Sequence, residues 1–176
     1  MRKPINTERA LNKFGKAVVQ QSRSRLAKKK KDSNYNTIAT GKLYKSLSFT
    51  PAKISNNGNI VSFSFEMLDY GEFIDKGVSG VNQKYDTPYA YTTKPPPPSV
   101  FGEWAKAKGI KPRDKKTGKF ITAKQFGFIM SRHIFSKGQK PTKFFSLSFE
   151  QQFKRLPDEI VKAFNLDLDN FLDFTT

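Results

Sequence analysis

Cysteine is absent from this chain, which excludes disulfides, thiolate nucleophiles and thiolate metal ligands, and fits a reducing compartment. Histidine and tryptophan occur once each. The one histidine, His133, lies in "GFIMSRHIF" (Gly127–Phe135) with no serine in a nucleophile setting, so no catalytic triad can be assembled. It reads as a helix-surface residue. Long apolar runs are missing too: nothing approaches the roughly 18 residues of a membrane helix. No apolar stretch follows the basic N-terminus, so no secretory signal is read. The expectation is a soluble chain made in the cytoplasm, with no membrane partner.

What is present is phenylalanine and positive charge. Seventeen Phe and an aromatic share of 14% in 176 residues argue for a folded chain with a real core, read as a single domain over 1–176. The net charge is +17 and unevenly placed. Residues 1–50 carry thirteen Lys or Arg against two acids, and 101–150 carry twelve against three; 51–100 and 151–176 are slightly acidic. Such a surface calls for a polyanionic neighbour, either nucleic acid or an acidic protein face.

Periodicity gives the layout. Thr7 is placed to cap a helix running to about Ala27, with Leu11, Phe14 and Val18 on one stripe. Residues 28–40 read as a basic and polar loop, and "TGKLYKSL" (Thr40–Leu47) as a short amphipathic turn. From Ser48 the period changes to two. "SFTPAKI" and "IVSFSFEML" flank Asn56-Asn57-Gly58-Asn59, a hairpin signal, with Pro51 suited to an edge or a bulge. "YGEFI" (Tyr70–Ile74) is read as continuing this sheet. Residues 77–99 form a long extended arm ending in Pro95, Pro96, Pro97 and Pro98, which favour polyproline geometry. Ser99 is placed to cap a short helix ending at Gly109; "KPRDKKTGKFI" reads as a basic turn or small hairpin. Thr122 starts a further helix with Phe126, Ile129, Met130 and Ile134 inward and Gly138 as its stop. The last segment reads as helix to Leu172, kinked or restarted at Pro157. The fold class is α+β: a small antiparallel sheet, the central hairpin, packed by flanking helices.

Three features invite a chemical reading. The acids Glu66, Asp69, Glu72 and Asp75 recur every three residues, but on a strand Glu72 and Asp75 point to opposite faces, and no ligand set completes a metal site. Edge protection, or contact with a basic neighbour, is the plainer role for Asp69, Glu72 and Asp75. "KKTGK" (Lys115–Lys119) echoes a phosphate loop, but Arg113 stands where glycine is needed and Phe120 where Ser or Thr is needed. The basic set is Arg23, Arg25, Lys28, Lys29, Lys30 and Lys31, with Arg113, Lys115, Lys116 and Lys119. These suit salt-dependent contact with a phosphate backbone, blind to base sequence, or contact with an acidic partner. No cofactor is indicated.

The order of motifs resembles a known family. The basic helix, "TGKLYKSL", the hairpin, "YGEFIDKGVSG" (Tyr70–Gly80), "PPPPSVFGEWAKAKGI", "GQKPTKFF" (Gly138–Phe145) and the acidic "LDLDNFL" follow one another as in the neck and tail-completion proteins of tailed bacteriophages. The resemblance spans roughly 5–175 and rests on short structural motifs. It implies a non-enzymatic virion component, forming an oligomeric ring at the head–tail connector or the proximal tail end. Its partners would be further copies of itself, other neck, portal or tail proteins, and packaged DNA in the channel. In such a ring the prolines 95–98 and the acids 69, 72 and 75 would contact adjacent protomers. A different reading of the same charges is a free, sequence-nonspecific nucleic-acid-binding protein using 23–31 and 106–124. A third is a metal-dependent hydrolase built on Asp69, Glu72 and Asp75.

Overall fold

The computed structural model describes residues 4–28, 41–55, 60–114 and 116–172. Among them are seven helices and two small antiparallel β-pairs, an α+β fold. They pack as two compact units. One draws its described residues from Met1–Ala27, Lys42–Leu68 and Phe144–Thr176, the other from Lys28–Gly41 and Asp69–Lys143.

The first unit is organised by phenylalanine. Helix α1 (Ile5–Ala27) buries Leu11, Phe14 and Val18, the stripe its periodicity announces, together with Leu26. A short α2 (Lys42–Ser46) follows, with Leu43 and Leu47 buried. Strands β1 (Ser48–Ile54) and β2 (Ile60–Glu66) pair antiparallel, and the register slips between Thr50 and Lys53, where Pro51 cannot donate to the ladder. The turn signal at 56–59 lies outside the described residues. Rings from β2 and from α6 (Ser146–Phe153) close on Phe14: Phe63 at 6.0 Å, Phe65 at 6.1 Å and Phe149 at 5.6 Å between centroids. Gly15 leaves room for a further ring, since a Cβ there would lie 2.5 Å from Phe49. Pro157 restarts the chain as α7 (Leu156–Leu172), whose Leu156 and Ile160 pack on Leu11 and Ala52.

The start of α1 is capped from a distance. Helix α1 begins at Ile5, ahead of Thr7, so Thr7 is not the acceptor that its position suggests. Instead Asp167 on α7 accepts from the backbone N–H of Asn6 (2.9 Å) and Thr7 (2.8 Å) and from the Thr7 hydroxyl (2.9 Å). Burial pushes the Asp167 carboxyl up, and these donors together outweigh it and hold it below the usual aspartate value. A carboxylate at the positive end of the helix dipole adds to the cap.

The second unit corrects the reading of "YGEFI". This segment does not extend the sheet; it is helix α3 (Tyr70–Lys76). Glycine inside it did not prevent a helix, because Gly71 and Asp75, one turn apart, are both buried and Glu72 pairs with Lys76 across a turn at 2.7 Å. Strand β3 (Val78–Ser79) then pairs antiparallel with β4 (Gly138–Gln139), a contact across sixty residues that no local pattern announces. Gly138 holds φ 71° there, and any Cβ would strike the Val78 carbonyl and the Gly80 N–H. From Gly80 to Tyr91 the chain is stitched to its own unit. Val81 N–H donates to Phe135 O and Asn82 N–H to Ser136 O, while Tyr91 N–H donates to Ser79 O beside a parallel bridge between Ser79 and Ala90. The prolines run directly into α4 (Pro98–Ala107), with Pro98 as a first-turn residue, so Ser99 is not the cap. Helix α5 (Ala123–Lys137) opens with a full capping box between Thr122 and Gln125. Its inward set is Phe126, Met130 and Ile134, all half-buried; Ile129 is turned out, 56% exposed. Helices α4 and α5 approach closely at glycine: a Cβ on Gly127 would collide with the Pro98 carbonyl, and one on Gly102 would lie 3.1 Å from Ala123 O.

Two outcomes follow for stability. Replacing Asp167 with Ala should cost about 1–2 kcal/mol in urea unfolding at neutral pH, the usual worth of a cap. Because the folded carboxyl titrates below the ordinary aspartate value of 3.8, its stabilisation is complete above that value. It is lost as the pH falls through the lower folded value, so Asp167→Asn should flatten that acid limb. Gly127→Ala should destabilise by about 1–3 kcal/mol through overpacking against Pro98, read as a lower thermal midpoint.

Candidate functional site

The acidic series is dispersed by the fold. Glu66 ends β2 and accepts from the Thr50 hydroxyl at 2.7 Å, while Asp69 lies in the turn before α3 with its carbonyl accepting from Glu72 N–H. Glu72 is engaged by Lys76 and by the Tyr89 hydroxyl, and these partners hold its carboxyl below the usual range. The same contact raises the Tyr89 phenol, whose ring meets Phe73 edge-on at 4.6 Å. Asp75 is only 3% exposed. The backbone carbonyls of Ile74 and Asp75 accept from Thr142 and Lys143, fastening α3 to the segment that leaves the unit. Among the described residues no three His, Asp or Glu side chains gather in a metal-binding group. In place of extended strand, where parity would separate them, Glu72 and Asp75 share a helix on which each has a different surrounding.

The basic residues sort into tethered and free. Arg23 Nη2 donates to Leu47 O at 2.7 Å and its guanidinium lies 5.5 Å from the Tyr44 ring centre. Arg25 Nη2 donates to Gln151 Oε1 at 2.9 Å, in a chain of amides where Gln21 also donates to Gln151 and accepts from Gln152. The Nε atoms of both arginines are buried. These two cations therefore hold α1 to α2 and α6 and are poorly placed to grip phosphate. Lys28 is exposed; Lys29, Lys30, Lys31 and Lys115 lie outside the described residues.

The described residues of 111–121 form a small hairpin, with Arg113 bridged to Phe120 and its guanidinium 4.2 Å from that ring's centre. Asp114 organises it. Its Oδ1 accepts from the N–H groups of Lys116 and Thr117, both at 2.8 Å, and from the Thr117 hydroxyl. The Thr117 and then the Lys116 backbone donors lower the Asp114 pKa. A carboxylate thus takes the amides that a phosphate loop would offer its ligand. The exposed ammonium groups of Lys116 and Lys119 remain for solvent or for a polyanion.

Two other surfaces carry no sequence motif. Helix α7 turns Leu156, Ile160 and Ala163 toward its own unit, yet Val161, Phe164 and Leu168 remain 58%, 56% and 47% exposed. Their spacing of three and four puts them on one stripe. The reading of the tail as helix to Leu172 names no apolar face; the structure gives it two, one buried and one exposed. Between α4 and α5 lies a cleft of about 450 Å³, lined by Pro98, Ser99, Gly102, Ala123 and Phe128 and by one acid, Glu103, against two cations, Lys106 and Lys124. The prolines 95 and 97 are exposed, and Pro96 accepts from the Ser131 hydroxyl at 2.6 Å. No described helix is long and apolar enough to cross a membrane.

This division of the cations is testable with a polyanion such as duplex DNA in a salt titration. Lys116→Glu with Lys119→Glu should weaken binding and lower the salt slope by about one for each phosphate no longer neutralised. Arg23→Ala should leave that slope alone while lowering stability by about 1–3 kcal/mol, through the Leu47 carbonyl and the Tyr44 ring.

Comparison with family models, with curated proteins and with solved structures finds no match for this chain.

Proposed function

We propose that this chain is a non-catalytic structural subunit of a tailed-bacteriophage virion, forming part of an oligomeric ring at the neck or the proximal end of the tail. The order of motifs from "TGKLYKSL" to "GQKPTKFF" supports the family. The observation that carries the assembly is the exposed row on α7. A helix that has already buried one face presents three large apolar residues on another. Contiguous exposed apolar surface of this kind marks a protein contact. Rings that close by rotation need two different complementary faces on each subunit. The acidic, apolar α7 and the basic span of α4 and α5 differ in the required way. The free lysines of the 111–121 hairpin suit packaged DNA or an acidic neighbour; the tethered Arg23 and Arg25 serve the subunit itself.

The test is biochemical. Virions purified from the phage that encodes the chain should contain it at a fixed copy number, and a Phe164→Asp chain should fail to incorporate while keeping its own fold by circular dichroism. Absence from virions, together with tight binding of monomeric protein to DNA, would overturn the reading in favour of a free nucleic-acid-binding protein.

A further inference from the structure

We infer that the row on α7 of one copy seats in the α4–α5 cleft of a second copy of this chain. This rests on the ring reading above and names the two faces that would meet.

The choice of occupant follows from charge. Helix α7 carries Asp158, Glu159, Asp167 and Asp169 against Lys162 alone. Asp167 is spent on the α1 cap, and Glu159 lies 3.6 Å from Lys13. Asp158 and Asp169 are exposed and flank the Val161, Phe164 and Leu168 row toward its two ends. Two α7 helices laid row to row would therefore set acid near acid in either orientation, an unfavourable like-charge approach. A basic partner with an apolar floor removes the conflict. Residues 98–137 hold ten Lys or Arg against two acids, so the α4–α5 region is the strongly positive counterpart.

The shapes also correspond. Gly102 lines the cleft without a side chain, and Phe128 on its lining stands 50% exposed. A phenylalanine from outside would meet Pro98, Ala123 and Phe128. Its helix would then bring Asp158 or Asp169 toward Lys106 and Lys124, which outnumber the one acid on the cleft, Glu103. The contact joins unlike surfaces, so it builds a ring where the rotation between successive copies closes.

A chain without cysteine allows a direct test by disulfide trapping. Asn165→Cys sits exposed beside the row and Ser99→Cys lies exposed on the cleft, so both variants leave the apolar and charged residues intact. Full-length chains of the two kinds, distinguished by a mass tag, are mixed and oxidised. The expected result is a mixed disulfide, formed at least about ten-fold faster than between Asn165→Cys and a Lys84→Cys control, because docking raises the local thiol concentration. Adding Phe164→Asp to the Asn165→Cys chain should remove that preference. Predominant self-linking of Asn165→Cys would overturn the inference in favour of α7–α7 pairing. A rate equal to the control would overturn it in favour of a different partner for α7. In both of those cases virion incorporation of the wild-type chain, abolished in Phe164→Asp, would leave the ring reading standing. Absence from virions would overturn the two together.

Discussion

Phe14 is the point on which the first unit converges. Its ring touches Phe63 and Phe65 from β2 and Phe149 and Phe153 from α6, so one side chain of α1 meets segments about fifty and about 135 residues later. Most of these pairs are tilted or edge-on, the orientations that ring quadrupoles favour, and Phe149 and Phe153 stack on each other a helical turn apart. No part of this cluster is complete locally. Helix α1 has its full set of apolar partners only once the chain has made its hairpin, passed through residues 69–143 and returned. Asp167 then fixes the N-terminal end of the same helix through three donors. The unit is therefore closed by its last helix.

The second unit meets a different constraint, since residues 69–143 must begin and end close together to be spliced into the first. The ladder does this with backbone. Thr142 and Lys143 donate to Ile74 and Asp75, β3 pairs with β4 beside them, and Gly138 turns at positive φ to allow it. Lys143 itself holds φ 51°, an uncommon conformation for a residue with a side chain, at the last peptide before the chain re-enters the first unit. The segment read as a long arm is drawn into this closure over Gly80–Tyr91. Beyond it Thr92, Thr93, Lys94, Pro95 and Pro97 are exposed.

Local chemistry was legible in the sequence wherever a feature needed only near neighbours. The Thr122–Gln125 box, the Gly138 stop, the Pro51 irregularity, the Pro157 restart and the alternation in β2 all depend on residues within a few positions of one another. The features that escaped are set by tertiary packing. Parity arguments about "YGEFI" assumed a strand. The burial of Gly71 and Asp75 one turn apart, with the Glu72–Lys76 pair outside, belongs to a helix, and the surroundings of its acids changed with it. Thr7 looked like a cap because the true acceptor, Asp167, lies 160 residues away. Arg23 and Arg25 looked like part of a basic run, and nothing in their spacing shows that a backbone carbonyl and a glutamine hold them.

That last point changes what the charge of +17 means. The Arg23 and Arg25 guanidiniums keep their charge, since a carbonyl and a glutamine amide neutralise nothing; what tethering removes is their reach, which leaves direct contact to exposed cations such as Lys28, Lys116, Lys119, Lys106 and Lys124. Attraction between exposed charges fades over roughly 8 Å at physiological salt. The lysines of the cleft can therefore steer an acidic helix and set its orientation, while adding little to how long it stays. In the contact proposed above, residence must come from burial of Val161, Phe164 and Leu168. At about 25 cal/mol per Å² of apolar surface removed from water, such side chains contribute more than the exposed ion pairs beside them. Salt should consequently slow the encounter of two subunits more than it hastens their separation, and the apolar row, not the charge that guides it, decides whether the contact holds.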